Sequence, residues 1–172
     1  MAGALMSLIE AICSRRSIRA FTPEPPGAGQ IRQIIAAGTR APSGLNNQPW
    51  RFAVVTRQET REALAGLTRY GRIIRSAPVL VVVFCAREAM YHDVKDHQAI
   101  GACIQNMLLA TQHLALGAVW LGEILKNADT VNSILGLDAN LELMAVLAIG
   151  HPAEQPAQTR RQPLDSVIVY HD

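Results

Sequence analysis

One segment near the middle of the chain limits the possible folds more than any other. Pro78 is followed by residues 79–84, which read Val-Leu-Val-Val-Val-Phe and are apolar at every position. β-branched residues favour strands, and a strand that is apolar on both faces must be covered on both sides. The segment therefore predicts a central strand of a sheet that has other structure packed on each face.

Other strands and helices are predicted on both sides of this strand from hydrophobic period and flanking turn residues. The predicted strands are residues 52–55, 118–122 (a short strand or an extended turn) and 142–149. The predicted helices are residues 30–39, 58–67 and 129–137. The basic residues 68–76 read as a connection. The chain of 172 residues has no internal repeat and predicts a single domain over residues 1–172.

A longer helix is predicted at residues 96–116. Ile100, Ile104 and Leu108 follow helical spacing there, and small residues lie between them. A helix of this length that is apolar over much of its circumference must be buried on several sides. It is a candidate core helix and a candidate dimer helix.

The composition favours specific anion sites over a broad surface for nucleic acid. The net charge is only +2, and Lys95 and Lys126 are the only lysines, so arginine supplies nearly all the positive charge. Aromatic residues make up 5% of the chain, which leaves few platforms for stacked bases. We expect no nucleic-acid partner. Because 49% of the residues are hydrophobic and 17% charged, we expect some surface to be buried against a partner subunit.

The sequence also bears on location. Its cysteines, Cys13, Cys85 and Cys103, are odd in number and widely spaced, which is typical of reduced core residues. The N-terminus lacks the pattern of a signal peptide, and the longest apolar run, residues 77–86, is too short to span a bilayer. We therefore expect a cytoplasmic protein without a membrane partner.

A polar segment, residues 87–96, follows the central strand and contains Tyr91 and His92, with His97 just beyond it. No other metal-type residue stands at coordinating spacing from these histidines on a clear face. We therefore predict no metal site and interpret the segment as surface or as a lid.

A basic cluster follows the first predicted helix, whose apolar residues include Leu5 and Leu8. Arg15, Arg16 and Arg19 lie within six residues together with two serines. Three fixed positive charges repel one another unless an anion lies among them, and a guanidinium matches phosphate in two-point geometry. The cluster indicates an anion site, and a solvated basic turn is the alternative.

Residues 42–50 form a loop with one hydroxyl and three carboxamides between two prolines, directly before a strand. Carboxamides both donate and accept hydrogen bonds, so this loop can bond the edge of a heterocycle. An ordinary turn is the alternative.

The tail, residues 151–172, is rich in proline and glutamine, then basic at Arg160 and Arg161, then β-branched at residues 167–169. A terminal strand after a long irregular arm often pairs with a sheet to which it does not belong by chain order. In a dimer that sheet can be the partner's.

Five motifs in sequence order resemble those of the flavin-dependent nitroreductase family. They are residues 15–19, 41–44 with 46–50, Asp96 with 105–110, 117–122, and Arg161 with 163–164. The resemblance spans nearly the whole chain. It implies an α+β fold with a mixed sheet flanked by helices, an obligate homodimer, and two FMN molecules at the subunit interface. Together with the tail residues, this predicts a homodimer that exchanges its C-terminal arm and strand.

The resemblance also implies roles for individual residues. The family segment that binds the phosphate, ribityl chain and pyrimidine edge of FMN corresponds to Arg15, Arg16, Ser17 and Arg19. The family's later phosphate-binding residues correspond to Arg161 and its neighbour Arg160. The loop that covers the isoalloxazine from the other subunit is matched by Pro42, Ser43, Gly44 and Asn46. The backbone beside the reactive ring nitrogen is matched by Leu121 and Gly122. No side chain stands out as a general acid or nucleophile, so no catalytic residue is assigned.

The implied activity is transfer of reducing equivalents from NAD(P)H through FMN to a small acceptor such as a nitroaromatic or a quinone. The chain lacks a G-x-G-x-x-G fingerprint, so one pocket would serve both substrates in turn, with ping-pong kinetics. A flavin-binding protein without turnover, a basic scaffold without flavin and another flavin reaction such as dehalogenation stay open.

The chain departs from the family in two ways. Leu121 stands where some branches carry a glutamate, so a role tied to that carboxylate is absent. The chain is short for the family, which leaves the acceptor pocket open or covered only by residues 87–96.

Overall fold

A four-stranded antiparallel sheet lies at the centre of the part of the chain that is described, residues 7–171 of the computed structural model. In spatial order β1-β2-β4-β3, the strands are β1 (Trp50–Val55), β2 (Val79–Ala86), β4 (Leu141–Gly150) and β3 (Gly117–Leu121). Every residue of the inner strand β2 is buried. The prediction of a covered central strand at residues 79–84 is therefore confirmed.

Helices pack on both faces of this sheet. They are α1 (Leu8–Ser14), α2 (Ala28–Gly38), α3 (Gln58–Ala65), α4 (Gly71–Ser76), α5 (Asp93–His113) and α6 (Ala128–Leu135). Each predicted helix is confirmed to within a few residues. A capping box, in which Ser7 and Glu10 each bond the other's backbone, begins α1. Leu5, which we assigned to this first helix, lies outside the described residues.

The interpretation of residues 68–76 as a basic connection is wrong, because its second half forms α4. Ile73 and Ile74 are buried there, whereas Arg72 and Arg75 are exposed. Two adjacent apolar residues in so short a helix show no recognisable period, and the arginines dominate the composition. The burial of the isoleucines, each worth about 1.5–3 kcal/mol, outweighs this weak local signal.

Alternate residues of β2 serve two separate cores. Val79, Val81 and Val83 face α2 and α5, whose buried residues include Ile34 and Ile104. Leu80, Val82 and Phe84 face α3, α4 and α6. The long helix α5 packs closely against α2. A Cβ added at Gly38 of α2 would lie only 2.6 Å from Cγ of Met107 in α5. The expected core role of α5 is confirmed.

The α+β class is confirmed, but the expectation of a mixed sheet is wrong for the strands themselves. All three strand pairings are antiparallel among the described residues. The spatial order places β4, the last strand of the sequence, between β2 and β3, and each neighbour runs opposite to it. Parallel pairing occurs outside the strands, in an isolated bridge between Ser17 and Ala118 at the outer edge of β3.

Residues 157–171 of the C-terminal arm are exposed throughout and contain one short 3-10 helix, Leu164–Ser166. The terminal strand expected at residues 167–169 does not form within the single chain. A strand needs a neighbour that satisfies its backbone groups, and residues 167–169 have none among residues 7–171. The outer edge of β1 is unpaired within residues 7–171, because β1 bonds only to β2.

Candidate functional site

The basic segment that follows α1 lies along the edge of β3. Ser17 bridges to Ala118, and the Ile18 N–H donates to the Ala118 carbonyl oxygen at 3.0 Å. The basic segment packs tightly against β3, since a Cβ added at Gly117 would lie only 2.7 Å from Ile18 Cγ1. The arginines are therefore held on a fixed strand-like segment, which argues against a loose basic turn.

The same segment is bonded to the start of the C-terminal arm. The Thr22 N–H donates to the His151 carbonyl at 2.9 Å, and the Ala153 N–H donates to the Ala20 carbonyl at 3.0 Å. The arm therefore leaves the sheet directly beside the basic cluster. These two hydrogen bonds bring the N-terminal basic segment next to the start of the arm, although the two are more than a hundred residues apart in the sequence.

Arg15 and Arg16 line a cavity of about 510 Å³. Its polar lining includes Ser14, Arg15, Arg16, Gln112, Gln155 and Gln158. The pKa of Arg15 is lowered, first by burial and then by the positive charges of Arg161 and Arg16. Arg161 thus lies within electrostatic range of Arg15, although neither it nor Arg160 lines the cavity itself.

None of these arginines pairs with a carboxylate in residues 7–171. One guanidinium nitrogen of Arg16 donates to the backbone oxygens of Cys13 and Arg15, at 2.8 and 2.7 Å. Arg161 donates to Thr159 Oγ1 at 2.8 Å. Each guanidinium carries five N–H donors, so most remain available to an anion in the cavity.

A second cavity, of about 330 Å³, lies farther along β3. It brings together three of the predicted site residues, Arg19, Leu121 and Gly122. Arg19 is exposed and donates to the Ser17 carbonyl at 3.2 Å. A Cβ added at Gly122 would meet nothing within 4 Å, so the backbone faces open space in which a flat ring can approach.

Sequence reasoning missed Arg69, Tyr70 and Glu123, which line this second cavity. Glu123 accepts from Thr68 Oγ1 at 2.6 Å, from the Arg69 N–H at 3.1 Å and from Lys126. The hydrogen bonds from Lys126 and Thr68 lower the pKa of Glu123 to about 2. The carboxylate therefore fixes the backbone of Arg69 at the cavity. The available sequence signal was the glutamate directly after Gly122.

The predicted ring-covering residues lie elsewhere in the chain. Pro42, Ser43 and Gly44 line a third cavity, of about 230 Å³, together with Lys95 and neighbouring residues of α5. Asn46 is exposed beside it. Within one chain the structure does not bring these four residues to the arginine cavity. The resemblance assigned them to the flavin of the other subunit, and a single chain does not test that assignment.

Two general features concern the described residues as a whole. No helix within residues 7–171 has the length and apolar character needed to cross a membrane. The same residues contain no group of three or more histidine, cysteine or acidic side chains placed to hold a metal ion.

The fold and these cavities define an α+β protein in which two cavities lie along the edge strand β3, the first lined by Arg15 and Arg16 and the second by Arg19. Comparison with known proteins is more specific. The model of the nitroreductase family matches residues 12–70 and 65–151. The chain therefore belongs to the nitroreductase family, and the resemblance inferred from its motifs is confirmed.

Individual relatives agree with this membership. A Desulfovibrio desulfuricans protein described as a nitroreductase, solved in complex with FMN, is 49% identical with a TM-score of 0.91, over 95% of this chain and 96% of that one. The oxygen-insensitive NADPH nitroreductase of Salmonella typhimurium is 32% identical over 93% of this chain and 72% of its own. A Methanothermobacter thermautotrophicus protein described as an NADH dehydrogenase/NAD(P)H nitroreductase is 31% identical over 88% of this chain and 80% of its own.

Proposed function

We infer that the chain is an NAD(P)H-dependent FMN oxidoreductase, and we propose that a small nitroaromatic or quinone is its acceptor. The observation that carries the proposal is the convergence of Arg15 and Arg161 beside a cavity that has no carboxylate to neutralise them in the described chain. Relatives that bind FMN or use NADPH support the cofactor and the reductant.

The residues present fit the phosphate end of FMN. Arg15 and Arg16 line the first cavity, and Arg161 adds its positive charge from the arm. A phosphate dianion among these groups would remove their mutual repulsion and accept charge-assisted hydrogen bonds, each worth about 1.5–3 kcal/mol. Ser17 lies next along the segment, where it would meet the ribityl chain.

The ring would then occupy the second cavity. Between Ala118 beside the first cavity and Gly122 in the second, an extended chain advances about 13 Å. Gly122 leaves its backbone open to the ring, and the positive charge of Arg19 lies where the polar pyrimidine edge would be. Such a charge stabilises electron density that moves onto that edge. FMN supplies the redox chemistry itself, acceptance of a hydride and its delivery to a second substrate.

We propose that both substrates use one site in turn, as in ping-pong kinetics. The chain has no separate dinucleotide fingerprint, and the buried Leu121 beside Gly122 offers no acid or base. The residues of the second cavity therefore bind and orient, and no catalytic side chain is assigned. A flavin-binding protein without turnover would use the same arginines.

We also propose a homodimer in which the arm is exchanged. Leu8, Ile9 and Leu45 are 68%, 69% and 86% exposed, so α1 and the loop at residues 42–48 present apolar surface that a partner would cover. The unpaired edge of β1 adjoins an apolar groove of about 620 Å³ that includes Val54. The β-branched residues 167–169 of a partner's arm suit this edge.

The free state of the cysteines supports a cytoplasmic location, which stays a proposal. Cys85 and Cys103 are buried, Cys13 is exposed, and none forms a disulfide among the described residues. Burial raises the pKa of Cys85 to about 11 and that of Cys103 to about 12, so both thiols are protonated and unreactive at neutral pH.

Anaerobic reduction of the purified protein tests the proposed function. We expect a yellow protein that NADH or NADPH bleaches and that menadione or a nitroarene recolours. A yellow protein that neither nucleotide bleaches would establish the flavin-binding alternative. A protein that stays colourless after incubation with FMN would refute the cofactor assignment.

A further inference from the structure

The buried carboxylate of Asp96 has no part in the site described so far. Asp96 lies in the first turn of α5 and is 0% exposed. It accepts three hydrogen bonds, from Asn47 Nδ2 at 2.6 Å, from the Tyr91 N–H at 2.9 Å and from the His92 N–H at 2.8 Å. It therefore joins α5 to two other segments of the chain.

Asn47 completes the connection. The same amide nitrogen that bonds Asp96 also donates to the Ala89 carbonyl at 2.9 Å, in the 3-10 helix Arg87–Ala89. A Cβ added at Gly44 would overlap the Tyr91 side chain, so the loop and the polar segment pack directly on each other. Asp96 and Asn47 together fix the loop at residues 43–48 against residues 89–92.

The carboxylate is ionised, which makes it a strong acceptor. Burial by itself raises the pKa of Asp96, but the hydrogen bonds from His92, Asn47 and Tyr91 outweigh burial and leave the pKa below its usual value. A buried charge whose acceptors are satisfied holds its donors rigidly, because releasing any one of them leaves a desolvated charge without a partner.

The loop that Asp96 fixes has an unfavourable backbone. Leu45, Asn46 and Gln48 have φ angles of 53°, 55° and 48°, in the region that favours glycine. A residue other than glycine in this region is strained and persists only where surrounding contacts impose it. Within the loop, the Ser43 Oγ accepts from the Gln48 N–H at 3.1 Å, and Arg51 donates to the Gln48 carbonyl at 3.2 Å. The hydrogen bonds of Asn47 connect the loop to Ala89 and to the buried Asp96.

We propose that Asp96 is a positioning residue: through Asn47 and the N–H groups of Tyr91 and His92 it fixes the loop at residues 43–48 in the arrangement that substrates meet. The proposal rests on the proposed function, together with the family resemblance, which assigns this loop to the flavin of the partner subunit. The polar segment at residues 89–92 is then an anchored wall of the acceptor site and not a free lid.

Two variants test the proposal from opposite sides of the connection. Asp96→Asn removes the charge and turns a donor toward the bonded N–H groups, and Asn47→Ala removes the link from the loop. We expect each variant to raise the KM for the acceptor about tenfold or more. We expect the Kd for FMN to change less than about threefold, because the arginines at the other end of the cofactor carry its affinity.

The double variant and a control separate positioning from general stability. Because both changes break one link, the double variant should lose about as much as either single variant, a non-additive result. The control is Thr111→Val, which removes a buried hydrogen bond of 2.8 Å to the Met107 carbonyl in the same helix. It should lower the melting temperature and leave the KM unchanged.

An unchanged KM in both single variants, additive losses, or an equal KM rise in Thr111→Val would overturn the role of Asp96. Failure of the proposed function would look different, because the unaltered protein itself would then not bind FMN or not be bleached by NAD(P)H.

Discussion

The environment of Arg15 shows how the site is built at the scale of single residues. Its guanidinium is partly buried and lies near two other positive charges, so its pKa falls below the ordinary value. In the absence of an anion this arrangement is unfavourable, and folding maintains it only because the segment is bonded to β3 and to the arm. A residue held in such a position is suited to bind a phosphate.

Replacing Arg15 with alanine should therefore weaken FMN binding. The loss of charge-assisted bonds worth about 1.5–3 kcal/mol corresponds to roughly 10- to 100-fold in Kd. Arg57→Ala is the matched control, because it removes the same charge from an exposed arginine that lines neither of the two cavities. Fluorescence titration of the apoprotein with FMN measures both variants, and equal affinities would remove Arg15 from the site.

Glu123 offers a prediction about pH. Its pKa is lowered from 4.5 to about 2 in the folded protein, so its interactions stabilise the fold fully above pH 4.5. That contribution is lost as the pH falls from 4.5 towards about 2, because protonation removes the acceptor that holds Thr68, Arg69 and Lys126. Urea unfolding of the protein and of Glu123→Gln should therefore show a difference at neutral pH that shrinks across this window. A difference that is constant from neutral pH to about 2 would contradict the assignment.

At the scale of elements, the contact between β3 and the basic segment decides where the arginines lie. The Ile18 side chain fits against Gly117 because no Cβ intervenes. Any side chain at residue 117 must move the segment or distort the strand. The position of the arginines thus depends on a glycine that lines neither of the two cavities.

Gly117→Ala should accordingly destabilise the fold by about 1–3 kcal/mol and weaken FMN binding as the segment shifts. Gly29→Ala is the control, because a Cβ there meets nothing within 4 Å and the residue lies in helix α2. That control should be neutral or slightly stabilising. Urea unfolding and FMN titration report the two effects, and a Gly117→Ala protein with unaltered stability and affinity would show that the contact is unimportant.

Patterns along the sequence predicted the elements well and the connections poorly. The central strand and the long helix were found because their periods are strong, whereas α4 was missed because two isoleucines in six residues carry no period. The bonds of Asp96 to Asn47 and of the basic segment to β3 join residues 49 or more positions apart. Local propensity contains no information on such pairs, so the packing around the loop became visible only in the structure.

Around the two cavities, the sequence singled out the residues of the first better than those of the second. The arginines stood out because Arg15, Arg16 and Arg19 place three positive charges within six residues. Arg69 was overlooked because its role depends on Glu123, which lies 54 residues away and bonds its backbone. Resemblance to a family supplied the assignments at Leu121 and Gly122, where an apolar residue and a glycine have no chemical signature of their own.

At the scale of the whole molecule, two surfaces lack a partner within residues 7–171. The C-terminal arm is exposed, and the outer edge of β1 is unpaired. Val169 is 98% exposed in the single chain, and Val54 on β1 is 49% exposed. An isolated edge with apolar residues tends to associate with another strand. Exchange of arms between two copies would cover both surfaces at once.

Two variants separate the roles of the arm. Deleting residues 165–172 keeps Arg161 but removes residues 167–169, so we expect a monomer, which also loses flavin because the site needs both subunits. Arg161→Ala keeps the strand, so we expect a dimer whose FMN affinity falls about tenfold or more. Light scattering after gel filtration gives the mass, and absorbance at the flavin band gives the cofactor content. A shortened chain that stays a yellow dimer would mean that other surfaces, such as α1, hold the subunits together without the arm.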